Sequence, residues 1–269
     1  MADGIKIETV RTGSVEMDYF RFGRGRDALV ILPGVSVQSV MLFPDLVADA
    51  YKVLTEDFTL YVLDRRKDAA DGYSIAEMAE DTAEAIEAIG LQQVSIMGVS
   101  QGGMIAMEIA VRHPDLVKSL VLACSSAHVK KETDDLFKEW IRLAESGDAE
   151  ALYLKFGETV YSRKMFEGSR DLLIKAAETV TEEELGRFII FAKSMLGFDY
   201  RDELDKISCP VFVVGAEDDR VLMPDASPVI MEHLTRQDDH VLKMYNGYGH
   251  AVFDEAPDFK ESMLEFLKK

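Results

Sequence analysis

The chain is poor in cysteine and has no long hydrophobic run. It contains two cysteines in 269 residues, Cys124 and Cys209, and both lie at the edges of apolar segments. Two cysteines cannot form the disulfide framework of a small secreted protein. Neither has the neighbours of a zinc ligand or a catalytic thiol, so we expect two buried, unreactive side chains. No apolar stretch approaches the roughly 20 residues that a membrane-spanning helix needs.

Positive charge is also scarce. The 30 Lys and Arg residues are outnumbered by 49 Asp and Glu residues, which gives a net charge of −19. Such a surplus of acid argues against nucleic acid or an anionic membrane surface as a partner.

Residues 1–6 lack the charged and apolar regions of a signal peptide, which favours a cytoplasmic protein. The sequence has no phosphate-binding glycine loop and no zinc-spaced Cys/His cluster, so neither a cofactor nor a metal is expected. The oligomeric state is left open.

Strand-like and helical segments alternate along most of the chain. Residues 28–32 and 59–64 are continuous apolar runs, typical of strands buried on both faces. Alternation of this kind predicts an α/β protein with a parallel sheet covered by helices on both sides. An antiparallel pair is expected over 5–10 and 14–22, further strands over 94–99, 120–123, 211–215 and 241–245, and helices over 75–89 and about 256–268.

The alternation fails between residues 127 and 205, where helix-forming and charged residues dominate. We interpret residues 127–205 as a helical cap inserted into a core formed by residues 1–126 and 206–269. A cap over the carboxyl ends of the strands would exclude water and form an apolar pocket. Its aromatic side chains would either line this pocket or only hold the helices together. The candidate pocket residues are Gly34, Met41, Phe43, Trp140, Phe166 and Val252.

Residues 98–102 read Gly-Val-Ser-Gln-Gly, between an apolar strand and an apolar helix. This spacing is typical of a sharp strand-to-helix turn that exposes a nucleophilic serine, here Ser100. The N–H of Gln101 would then serve as an oxyanion donor. A second donor is expected at Val35, after the Pro33-Gly34 turn. An ordinary glycine-rich turn is the alternative interpretation at both places.

A serine nucleophile needs a base and an acid that orients it. Of the five histidines, His250 lies in a glycine-rich loop after the last predicted strand and is the preferred base. The acid is expected just after the strand at 211–215. Asp218 is the first choice, Asp219 the second, and Glu217 a weaker third.

These motifs resemble those of the α/β-hydrolase fold superfamily, in its lidded branch of esterases, lipases and peroxidases. The resemblance covers nearly the whole chain and rests on the Pro33-Gly34 loop, residues 98–103, residues 112–115, Gly215-x-x-Asp218 and Gly249-His250. It implies a mostly parallel, eight-stranded sheet with helices on both faces and a helical lid. It also implies a triad of Ser100, His250 and Asp218, with Val35 and Gln101 as oxyanion donors. Two features depart from many members: Pro33-Gly34 replaces His-Gly, and residues 65–72 replace a glycine-rich turn.

The expected function is therefore hydrolysis of a small carboxylic ester or related acyl substrate through an acyl-enzyme. The same triad also serves C–C bond hydrolases, acyltransferases, lactonases and perhydrolases, and the motifs do not separate these activities. A small-molecule receptor with slow or no turnover is the alternative from another class.

Overall fold

A single eight-stranded sheet forms the centre of the protein. The computed structural model describes residues 4–236 and 239–269. Residues 1–3, which belong to the N-terminal segment 1–6 discussed above, lie outside the described residues. The strands are β1 (Ile7–Arg11), β2 (Glu16–Gly23), β3 (Asp27–Leu32), β4 (Phe58–Arg66), β5 (Val94–Val99), β6 (Val117–Ala123), β7 (Val211–Ala216) and β8 (Val241–Tyr245).

The strand order in the sheet is β1-β2-β4-β3-β5-β6-β7-β8. The pairs β1–β2 and β2–β4 are antiparallel, and all the others are parallel. The predicted mostly parallel, eight-stranded sheet is therefore confirmed. Every residue of β5 and β7 is buried, as expected for strands with helices on both faces. The parallel strands end at one common edge, where residues that follow β3, β5 and β7 can meet.

Helices cover both faces of this sheet. They are α1 (Pro44–Ala50), α2 (Ile75–Ala88), α3 (Gln101–Arg112), α4 (Lys131–Glu145), α5 (Ala149–Val160), α6 (Arg163–Ala177), α7 (Glu182–Ser194), α8 (Ala226–His233), α9 (Val252–Glu255) and α10 (Phe259–Leu267). The predicted start of α2 is fixed by a capping box, in which Ser74 and Glu77 each accept a backbone N–H bond of the other. Within the described ranges, no helix has both the length and the apolar composition to cross a membrane.

The closing helix begins at Phe259, three residues after the predicted start at about residue 256, and the short helix before it was not predicted. The chain forms the short helix α9 and then the longer helix α10. Ala256 between them has an extended backbone, with ψ of 122°. Pro257 explains the break, because the residue before a proline is disfavoured in the helical region.

Four helices, α4 to α7, separate β6 from β7 in the sequence and are called the four-helix segment here (residues 131–194). They fall inside the predicted insertion over 127–205. Helix α4 packs against α5 and α7, and α5 packs against α6. Their buried side chains, such as Phe137 and Phe188, join the same core as α2 and α3, while α10 belongs to a second core on the opposite face of the sheet.

Candidate active site

Ser100 occupies the turn between β5 and α3 and has an unusual backbone conformation. Its φ is 52° and its ψ is −118°, a region that costs on the order of 1–3 kcal/mol for a residue other than glycine. The N–H of Ser100 donates to Ala123 O at 2.9 Å, and Ser125 Oγ donates to Ser100 O at 2.8 Å. These bonds to β6 and the segment after it hold the serine in its strained turn.

Two glycines make this turn possible. A Cβ atom on Gly98 would lie 2.4 Å from the carbonyl oxygen of Gly102. A Cβ atom on Gly102 would lie 2.0 Å from the carbonyl oxygen of Leu32. Since no side chain fits at either place, glycine allows α3 to begin directly against the ends of β5 and β3. The predicted close approach of strand and helix is thus observed.

His250 and Asp219 form a buried pair at the same edge of the sheet. His250 Nδ1 lies 2.8 Å from Asp219 Oδ2, and both residues are 4% exposed. Asp219 Oδ1 accepts the N–H groups of Val221 at 2.8 Å and Leu222 at 3.1 Å. Because an ionised carboxylate only accepts hydrogen bonds, Nδ1 carries the proton in this pair and Nε2 is left as the basic nitrogen.

The expectation that Asp218 is the partner of His250 was wrong. The N–H of Asp219 donates to Ala216 O at 3.3 Å and closes a four-residue turn. This turn places Glu217 and Asp218 at its exposed corner and returns Asp219 to the buried sheet edge. Asp219, the second choice from the sequence, is the carboxylate that the structure pairs with the histidine.

The two predicted oxyanion donors lie on either side of the serine turn. Gln101 is the first residue of α3, and the N–H groups of a first helical turn have no acceptor within their helix. Val35 follows Gly34, where a Cβ atom would lie 3.2 Å from Ser100 Cβ. The loop of Val35 therefore lies directly against the turn that carries Ser100.

Sequence reasoning missed Arg65, which joins these two donor segments. Its guanidinium Nη2 donates to Pro33 O at 2.5 Å and to Gln101 Oε1 at 2.8 Å. The residue is 5% exposed, and burial lowers its pKa to about 10. Its Nε has no partner among the described residues. No local pattern marked Arg65, because its two acceptors lie 32 and 36 residues away in the sequence.

Gln101 also connects the serine turn to the four-helix segment. Its Nε2 donates to Phe191 O at 2.8 Å and to Ser194 Oγ at 3.1 Å, both at the end of α7. A second link joins Arg187 of α7 to Asp64 at the end of β4, over 3.0 Å. Helix α7 is therefore held to the sheet edge by hydrogen bonds as well as by packing.

Ser100 and His250 both line one cavity of about 430 Å³. Val35 also lines it, and so do three of the six predicted pocket residues, Gly34, Phe43 and Trp140. The remaining walls are mostly apolar and come from the loop after β3, from α1, α4, α5 and α6, and from the segment after His250. They include Phe137, Tyr153, Phe156, Val160, Leu173, Ala176, Ala251 and Phe253.

The other three predicted pocket residues, Met41, Phe166 and Val252, are not among the described residues that line the cavity. Val252 is fully buried in the core on the α10 side of the sheet, and Met41 packs against the same core. Phe166 faces the α5–α6 contact, where its ring lies 3.3 Å from the position of a Cβ on Gly157. These side chains were misplaced because the direction in which a loop or helix residue points depends on its neighbours in space.

The aromatic residues of the four-helix segment serve both of the roles left open by the sequence. The ring of Trp140 packs at a tilt against Phe137 and Phe156, with ring centroids 5.4 and 4.8 Å apart. All three also line the cavity. The indole N–H of Trp140 has no acceptor among the described residues.

Cys124 brings a thiol close to the buried pair. Its Sγ, a carboxylate oxygen of Asp219 and a ring nitrogen of His250 lie within 4.8 Å of one another. Burial, followed by the charge of Asp219, raises the pKa of Cys124 well above its usual value. A protonated thiol beside an already paired histidine and carboxylate is a poor set of metal ligands.

Asp254 is a charged group in the cavity wall that the sequence analysis did not select. It lies on α9, four residues after His250, and it lines the cavity together with Tyr51 and Tyr161. Asp254 is an exposed residue, yet desolvation by the surrounding protein raises its pKa to about 6. Part of its exposed surface lies in the wall of the cavity.

Comparisons with known proteins agree with this geometry. The family model described as the alpha/beta hydrolase fold matches residues 28–257. Among curated proteins, one named as a carbamate hydrolase, RutD of Stutzerimonas stutzeri, is 23% identical over 254 residues, which cover 89% of this chain and 91% of that protein.

Two solved structures have the same fold over almost their whole length. MGS-M2, an alpha/beta hydrolase enzyme from a Medee basin deep-sea metagenome library, has a TM-score of 0.85 at 23% identity and covers 97% of this chain and 98% of its own. The enol-lactonase from Burkholderia xenovorans LB400 has a TM-score of 0.82 at 16% identity and covers 97% of this chain and all of its own (100%).

Proposed function

Since the chain belongs to the α/β-hydrolase fold family, we propose that it is a serine hydrolase of small carboxylic esters or related acyl compounds. The observation that carries this proposal is the buried His250–Asp219 hydrogen bond of 2.8 Å. The histidine of this pair opens onto the same cavity as Ser100, which lies in a strained strand-to-helix turn. A base, an acid that orients it and a hydroxyl that the substrate can reach are the three groups that nucleophilic acyl transfer requires.

In the proposed mechanism, Ser100 Oγ attacks the acyl carbon while His250 Nε2 accepts the hydroxyl proton. Asp219 keeps the imidazole in the required tautomer and stabilises its protonated form. The N–H groups of Val35 and Gln101 donate to the tetrahedral oxyanion. His250 then donates its proton to the leaving group, and an acyl-serine remains. Water, deprotonated by His250, attacks this acyl-serine and releases the acid and the free enzyme.

We further propose that residues 127–205 act as a cap over a core of residues 1–126 and 206–269. Support comes from α4, α5 and α6, which contribute Trp140, Phe156 and Leu173 to the walls of the cavity. Apolar walls above the serine limit the access of water and so strengthen the electrostatic interactions around the reacting atoms.

The test is hydrolysis of p-nitrophenyl esters of graded acyl length by wild type and Ser100→Ala. We expect wild-type activity with a chain-length optimum set by the cavity, and loss of nearly all activity above background in the variant. Equal rates for the two proteins would contradict the proposal. If no ester is hydrolysed, labelling of Ser100 by a fluorophosphonate distinguishes an enzyme for other acyl groups from a receptor, which should label poorly.

Carbamates form a second candidate substrate class, because curated relatives named as carbamate hydrolases match along most of the chain. The chemistry would be the same, with a carbamoyl-serine in place of an acyl-serine. A panel that compares kcat/KM for an ester, a carbamate and a lactone of similar size discriminates among these substrates.

A further inference from the structure

The wall of the cavity that holds the proposed nucleophile includes the carboxylate of Asp254. Among the described residues that line it, the side chains that carry or can carry charge at neutral pH are His250, which is paired with Asp219, and Asp254. No lysine or arginine is present in this lining. A carboxylate in an otherwise apolar cavity is a specific recognition element, because an unpaired charge there is costly.

Aromatic rings lie near this carboxylate. The charge of Asp254 adds to the effect of burial in raising the pKa of Tyr51 and of Tyr161, so both phenols lie within electrostatic reach of it. Phe43 and Phe253 contribute further aromatic wall to the same cavity. A carboxylate among aromatic faces attracts a cation by direct charge and by cation–π contact.

Asp254 has no oppositely charged partner in contact with it among the described residues. Among the described residues, none forms an ion pair within 4.0 Å of Asp254. Lys260 is the nearby cation that lowers the pKa of Asp254, and the adjacent Glu255 raises it. Lys260 Nζ instead donates to Phe253 O and lies 5.4 Å from the ring centroid of Tyr51. Glu255 is bound to the N–H and hydroxyl of Ser162.

We propose that Asp254 is the anchor for a cationic group, such as an alkylammonium, on the substrate of this site. This subsite rests on the proposed function, since it would hold the part of the substrate that does not react while Ser100 attacks the acyl carbon. Binding of a remote charged group positions the reacting atoms and also selects among substrates. The surplus of negative charge on the whole chain, −19, also favours the approach of cations over anions.

The experiment compares n-hexylammonium with 1-hexanol, two ligands of similar shape that differ in charge, at about pH 8, where a primary alkylamine is protonated. Binding is followed by the fluorescence of Trp140, which lines the cavity and is the single tryptophan of the chain. Inhibition of p-nitrophenyl butyrate hydrolysis provides a second readout. The proteins are wild type, Asp254→Asn and the control Asp171→Asn, which removes the same charge from an exposed site on α6 that does not line the cavity.

We expect wild type and Asp171→Asn to bind n-hexylammonium at least about tenfold more tightly than 1-hexanol. A ratio of this size corresponds to one hydrogen bond to a charged group. In Asp254→Asn this preference should disappear, while the affinity for 1-hexanol stays within about threefold. Equal affinities in wild type, or a preference that survives in Asp254→Asn, would overturn the inference. If Asp254 only balanced Lys260, the ratio of the two affinities would be the same in wild type and in Asp254→Asn. Because fluorescence reports binding without turnover, failure of the cation site is distinguishable from failure of the hydrolase proposal.

Discussion

A shift of one residue separates a buried carboxylate from an exposed one at the end of β7. Asp219 accepts three hydrogen bonds, from His250 and from two backbone N–H groups, whereas Asp218 lies at the exposed corner of the turn. We predict that Asp219→Asn lowers kcat by about 10³- to 10⁴-fold, because an amide stabilises neither the required tautomer nor the imidazolium. Asp218→Asn should stay within about threefold of wild type. Ester hydrolysis by the two variants measures this difference, and the reverse ranking would refute our assignment of the acid.

Asp254 also has a consequence for stability that does not depend on any ligand. Desolvation by the surrounding protein raises the pKa of Asp254 in the folded protein to about 6, above the ordinary value of an aspartate. The folded state therefore holds this proton more tightly than the unfolded state, and stability falls as pH rises from about 4 to 6. Above that window the carboxylate is charged, and its exposed surface reduces the cost of its desolvation.

We accordingly predict that Asp254→Asn raises Tm at about pH 8 and that this gain disappears below about pH 4. Thermal unfolding of both proteins across this range is the measurement. Asp171→Asn, which removes a carboxylate on α6 that does not line the cavity, should change Tm little at either pH. A variant that melts at or below the wild-type temperature at pH 8 would show that the attraction of Lys260 outweighs the cost of burial.

At the scale of elements, a single guanidinium connects the loop after β3 with the start of α3. Arg65 Nη2 contacts Pro33 O and Gln101 Oε1, which flank the two proposed oxyanion donors. Arg65 does not line the cavity in the described structure, so its effect on catalysis would be one of positioning. The oxyanion interaction strengthens in the transition state, and a shift of either donor should therefore lower kcat more than it raises KM.

We predict that Arg65→Met lowers kcat by roughly 10- to 100-fold with little change in KM, and lowers stability by about 1.5–3 kcal/mol through the loss of charged hydrogen bonds. Arg66→Met is the matched control, because Arg66 is bound instead to Asp68, Asp81 and Ser14 O, away from the serine turn. It should lower stability and leave kcat near wild type. If both variants lose kcat in proportion to their stability, Arg65 has only a structural role.

The same contrast between local and distant contacts explains which elements the sequence predicted. The turn at Ser100 follows from residues 98–102 alone, because the glycines and the strained serine are neighbours in the chain. The start of α10 depended on a single proline, Pro257, and the helix was predicted to begin about three residues too early, at about residue 256. The choice between Asp218 and Asp219 depended on one hydrogen bond, from Asp219 N to Ala216 O, which the spacing of apolar residues does not encode.

At the scale of the whole molecule, the sequence predicted the sheet better than the cavity. Alternating apolar runs and helices identify a parallel sheet because each strand must be buried on both faces. Cavity walls are assembled from at least six separate segments, so a residue's place in them depends on packing that no single segment determines. Trp140 lines the cavity, whereas Phe166, on the next helix but one, faces a helix contact instead.

The net charge of −19 leads to a last prediction, on the response to salt. Many ion pairs have exposed partners, such as Arg24–Glu56 with side chains 76% and 67% exposed, and such pairs contribute little to stability. Repulsion among the surplus carboxylates acts over the whole surface, and about 0.1 M salt already screens it beyond roughly 10 Å. We therefore expect repulsion to outweigh the exposed pairs, so that raising NaCl from about 0.01 to 0.3 M increases Tm by roughly 2–4 °C, equivalent to about 1 kcal/mol. Calorimetry at constant pH measures this shift, with sucrose at equal osmolality as the uncharged control. A Tm that falls with NaCl would mean that the ion pairs, rather than the surplus charge, dominate the electrostatic free energy of folding.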